Sequence, residues 1–123
     1  YYVQYAHARI CSILKKAAEQ GVELTAPTIE ELNALNSDEE RELIIHLAGL
    51  TDEIIAAAKQ YDPARITHYV TQLATLFHKF YNAQRVMIED EALMKARLYL
   101  CAAVKSTIKN ILSMLKIDAP EAM

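Results

Sequence analysis

Gly21, Pro27, Gly49, Pro63 and Pro120 are the only glycines and prolines in this chain of 123 residues. Tight turns between strands draw heavily on those two residue types, so so few of them leave little room for β-hairpins. The stretches between them are therefore read for a helical period. Residues 2–19 place Val3, Ala6, Ile10, Ile13, Leu14 and Ala17 on one stripe, and Gly21 is a natural terminator for that helix. After a linker through Pro27, TIEEL at 28–32 and SDEE at 37–40 each put Glu three residues after a hydroxyl, the capping-box spacing. Two short helices should start there, the second carrying Leu43, Ile44 and Leu47 and broken by Gly49. Thr51 is expected to cap a helix over DEIIAAAKQ, and Asp62-Pro63 to open a long one. In that helix Ile66, Tyr69, Val70, Leu73, Phe77 and Phe80 follow the i, i+3, i+4, i+7 rule up to a break in NAQRVMIED. A last helix should run from about Glu91 to Leu115, and Pro120 ends helical possibility. No segment alternates as a strand would. The expected fold is an all-α bundle of five or six helices forming one domain over residues 1–123, with a C-terminal tail at 116–123.

Composition narrows the function. The net charge of −3 offers no broad attraction to phosphate, so any nucleic-acid binding must come from a local patch. No apolar run approaches the roughly 20 residues that span a bilayer, and a soluble, cytoplasmic protein without a membrane partner is expected. Cys11 and Cys101 lie far apart in apolar helical stretches and read as reduced core thiols. None of His7, His46, His68 and His78 has a Glu three residues before it, so the carboxylate-bundle metal pattern is missing and no metal is expected. Two isolated glycines cannot build a phosphate loop, and there is no serine elbow, so no catalytic residue is assigned.

Two features fit a plain core poorly. At about 100° per residue, Tyr2, Tyr5 and Arg9 gather a quarter-turn aside from the first helix's apolar stripe. They could edge the core with hydroxyls in water, or stack and read an unpaired base. In the last helix Arg97 interrupts the stripe Leu93, Leu100, Val104, Ile111 and Leu115. A buried guanidinium needs either an acid from a neighbouring helix or an RNA phosphate or base.

The opening YYVQYAHARICSIL, the stretch DPARITHYVTQLATLFHKFYNAQRV, the segment ARLYLCAAVKSTIKNIL and the ending APEAM together resemble the C-terminal anticodon-binding domain of class I arginyl-tRNA synthetases. The likeness is loosest at 22–50, as in a variable helical insertion. It implies an all-α bundle that grips the anticodon loop of an arginine tRNA, preceded in the parent enzyme by a catalytic part. It also implies that Tyr2, Tyr5 and Arg9 line the pocket for the middle anticodon base, and that Tyr81 and Met123 form further walls. Family members often carry Arg before the final Met where this chain has Ala122, so no side-chain contact is carried over there. The HIGH-like and KMSK-like signatures of the family's ATP chemistry do not occur. This piece should hold no cofactor and activate no amino acid, while the parent ligase would use ATP and magnesium. The alternative is a helical protein-interaction module, because aromatic residues and arginine also favour protein interfaces. A base pocket further requires that the tail fold back against the first helix.

Overall fold

A computed structural model describes residues 2–22, 28–84, 86, 88 and 90–122. Its helices are α1 (Tyr2–Glu19), α2 (Ile29–Asn33), α3 (Asp38–Ala48), α4 (Leu50–Gln60), α5 (Ala64–Ala83) and α6 (Glu91–Met114). No strand occurs among the described residues. The three long helices α1, α5 and α6 pack on one another, with α3 and α4 laid on α5 and α2 on α6. Ala6, Ile10, Ile13 and Ala17 from α1 meet Leu73, Phe77 and Phe80 from α5 and Val104, Ile108 and Ile111 from α6 in one core. None of the helices is long and apolar enough to cross a membrane.

The helix ends explain how the chain is routed. Gly21 adopts the left-handed conformation (φ 79°), letting its N–H reach the Ala18 carbonyl and that of Val22 reach Ala17, the paired bonds of a Schellman end. The same pattern closes α4 and α6, but with Tyr61 (φ 51°) and Lys116 (φ 58°) in the left-handed seat. The turn at Lys116 sends the residues after it back toward α1, where Gln4 and His7 meet the tail. At the starts, Thr28 and Glu31 exchange both bonds of a capping box, at 3.2 and 3.0 Å. Asp62 accepts from the Ala64 N–H, but Pro63, expected at the first helical position, is itself the N-cap of α5. Thr51 does not cap α4: the helix begins at Leu50 with Gly49 as its N-cap, which places Thr51 inside the first turn.

The second expected capping box is only half made. Ser37 accepts from the Glu40 N–H, but the Glu40 carboxylate turns inward and accepts from Arg97 Nε at 2.8 Å. Glu40 is 0% exposed and Arg97 8%, and Arg97 also donates to Gln84 at 3.0 Å. Of the two readings open for Arg97, the structure has the ion pair with a neighbouring helix, and an RNA contact is set aside. The reason is burial, since an RNA phosphate cannot reach a guanidinium enclosed between α3 and α6. A reciprocal lock ties α3 to α5: the rings of His46 and Tyr69 stack at 4.1 Å, the Tyr69 hydroxyl donates to the His46 carbonyl, and His46 Nε2 donates to that of Tyr69. Burial, helped by Glu53, pushes the Tyr69 hydroxyl up to about 12, so it stays a donor.

Removing one member of a buried ion pair strands the other charge. Glu40→Ala is expected to cost about 3–5 kcal/mol in urea denaturation, and Glu40→Leu with Arg97→Met to recover most of that. Tyr61→Gly relieves a left-handed side chain 92% exposed to water and should raise stability by about 0.5–1 kcal/mol.

Candidate nucleic-acid interface

Helical spacing puts Tyr2, Tyr5 and Arg9 on one face of α1, and His78 and Tyr81, three residues apart, on the face of α5 that meets it. The Arg9 guanidinium lies where the two faces join. Its carbon sits 4.4 Å from the centre of the Tyr81 ring and 5.3 Å from that of Tyr5. One of its terminal nitrogens donates to His78 Nδ1 at 3.2 Å. That bond needs a neutral imidazole with its proton on Nε2, which is buried without a partner among the described residues; the environment favours the neutral form. Burial, and secondarily the adjacent Arg9 charge, hold His78 below the usual histidine range. The His78 ring in turn touches Tyr2 at 5.1 Å and Tyr5 at 5.8 Å between centroids. Arg9 is thus held from behind while its remaining N–H groups stay available.

The tail forms the opposite wall. His7, buried at the core edge, donates from Nδ1 to the Pro120 carbonyl at 2.9 Å, and Gln4 donates to the Asp118 carbonyl at 2.9 Å. These two bonds, one helical turn apart, lay residues 118–122 along α1. The result is an open cleft of about 330 Å³ lined by Tyr5, Arg9, Ser12, Lys16, Tyr81 and Glu121, with Ala8, Ile13 and Ala122 at its base and rim. Two rings, a held guanidinium and the Ser12 hydroxyl border it. Such a set can hold a flat heterocycle by stacking while donating to its acceptor edge.

Sequence comparison bears directly on this arrangement. Residues 3–123 match the DALR anticodon binding domain. The chain belongs to that family. The domain is 51% identical to an arginine–tRNA ligase of Desulfitobacterium hafniense and 50% identical to one of Caldanaerobacter subterraneus, covering all of this chain in each case. It spans 22% of the length of each of those relatives. Its backbone is similar to that of the Thermus thermophilus arginyl-tRNA synthetase, with a TM-score of 0.84 at 33% identity over 99% of this chain and 21% of that one.

Of the residues expected in the pocket, Tyr5, Arg9 and Tyr81 line the DALR domain's cleft together. Tyr2 does not: it stands beside His78, half exposed, on the outer side of the cluster. Met123 lies outside the described residues. The expected return of the tail is present through residue 122. Cys101 is buried, and desolvation pushes its thiol up to about 12, whereas Cys11 is only half-buried and so is not the core thiol expected of it. No sequence pattern by itself assigns His7 or His78 to the site, although each carries a signal. His78 precedes Tyr81 by one turn, and His7 sits on the buried flank of the helix that carries Arg9.

Because His78 is held neutral in the fold, protonation opposes folding. The stability this contributes is present above the unfolded histidine value near 6.5 and is lost as pH falls through the lowered folded value. His78→Asn keeps an acceptor where Nδ1 stands but does not titrate. Stability measured from pH 7.5 down to pH 5 should fall less steeply in that variant than in the wild type.

Proposed function

We propose that this DALR domain reads the middle anticodon base of an arginine tRNA in the cleft between α1, α5 and the tail. The observation that carries the reading is Arg9, clamped by His78 between Tyr5 and Tyr81 at the mouth of a base-sized opening. A cytosine presents acceptors at O2 and N3 and a donor at N4. The first two suit the guanidinium, and the third suits a neutral acceptor such as the Ser12 hydroxyl. Stacking on the tyrosines supplies affinity of about 1–3 kcal/mol per base without requiring a basic domain. Discrimination against uracil comes from hydrogen bonding, since a mispaired buried polar group costs about 1–3 kcal/mol. Met123 is proposed as a further wall, and Tyr2 as support for the His78 ring.

In the full-length ligase that the relatives represent, this domain would supply tRNA choice, and the ATP- and magnesium-dependent attachment of arginine would be performed by the rest of the protein. Binding energy spent on the anticodon then raises the efficiency of charging without touching the bond chemistry. Arg9→Ala and Tyr5→Ala, placed in such a ligase, are expected to weaken tRNA use at least tenfold and to leave arginine activation unchanged. Equal loss of both activities would contradict the reading, and binding indifferent to cytosine or uracil at the middle position would favour a protein-docking face instead.

A further inference from the structure

A second cleft adjoins the first, and its lining differs in character. Cys11, Ser12, Lys15, Lys105, Glu121 and Ala122 enclose about 430 Å³, and Ser12, Glu121 and Ala122 belong to both clefts. A strand leaving the Arg9 opening over the tail therefore enters this one directly. Lys15 and Lys105 face it from α1 and α6, Lys16 stands in the adjoining opening, and Lys109 lies one turn along α6 from Lys105. Among the described residues none of these four lysines makes an ion pair, and Glu121 is the acid that lines the space. Lys15 and Lys16 lie near the C-terminal end of α1, where positive charge is favoured anyway. Lys105 and Lys109 have no such reason: they sit inside α6, one turn apart, where like charges repel each other. A group of lysines outside any ion pair among the described residues, with one acid beside them and continuous with the first cleft, suits a local phosphate contact on a domain of net charge −3.

We infer that this second cleft binds the phosphodiester backbone of the same RNA strand, with Lys15 and Lys105 as its cationic contacts and the Ser12 hydroxyl as a neutral donor. The inference rests on the anticodon reading above and adds to it a site that recognises no base. Ser12 at the junction couples the two, since it borders both the base cleft and the phosphate cleft. Glu121 opposes the contact, so its charge sets how much of the lysine field the RNA meets.

The test uses this chain and the anticodon stem-loop of an arginine tRNA, in its natural form and with uracil at the middle position, titrated over a series of salt concentrations. Each phosphate contact on a single strand contributes about 0.7 to the slope of log affinity against log salt. The variant Lys15→Gln, Lys105→Gln should lose between about 0.7 and 1.4 of that slope while keeping the preference for cytosine, and Glu121→Gln should bind more tightly at low salt. A slope unchanged in the lysine variant, with the cytosine preference intact, would overturn the phosphate site and leave the base cleft standing. Loss of the preference in the lysine variant would also overturn it, because those lysines would then be acting on the base. A wild-type domain that does not prefer cytosine removes the anticodon reading and this inference with it.

Discussion

One hydrogen bond organises the interface: Arg9 donating to His78 Nδ1. A long cationic side chain on a helix surface normally samples many rotamers, and ordering it on ligand binding has an entropic cost. Here a neutral histidine from α5 and two tyrosine rings fix the guanidinium before any ligand arrives. The arrangement depends on burial holding His78 neutral, since an imidazolium could not accept from a guanidinium. Charge, rings and protonation state are therefore a single device, assembled where α1 and α5 pack.

The opposite wall depends on how a helix ends. Lys116 turns the chain back in a left-handed conformation, and His7 and Gln4 receive the tail by donating to two of its backbone carbonyls. Side chains of residues 121 and 122 can then border the cleft without needing a core of their own. First helix and last residues meet in space although they are at opposite ends of the sequence. The buried Glu40–Arg97 pair performs a comparable service at the far side of the bundle, pinning the connecting helix α3 to α6. Neither device is generic hydrophobic packing, and both involve polar groups whose burial would be costly without partners.

Helix number and most helix limits were legible because breakers and periodicity are local properties. The start of α4 was not, since Gly49 and Thr51 are both acceptable caps and the local pattern does not choose between them. The same ambiguity affected Glu40, whose spacing from Ser37 satisfies the capping-box pattern while its carboxylate serves Arg97 on another helix. Tyr5 and Arg9 were recognisable as a face because they are one turn apart on α1. Their relation to His78 was not, as it joins residues 69 positions apart and turns on an imidazole that burial keeps uncharged. His7 was hidden for a like reason: its partner is a backbone carbonyl, which leaves no mark in a side-chain pattern.

In the proposed function, one extruded base rests on the rings around Arg9. Placing a fluorescent cytosine analogue at each anticodon position of the stem-loop in turn tests it most directly, because stacking on tyrosine quenches such a probe. The account predicts strong quenching on binding at the middle position alone, abolished by Tyr5→Ala together with Tyr81→Ala. Equal quenching at all positions, or none at the middle one, would contradict it.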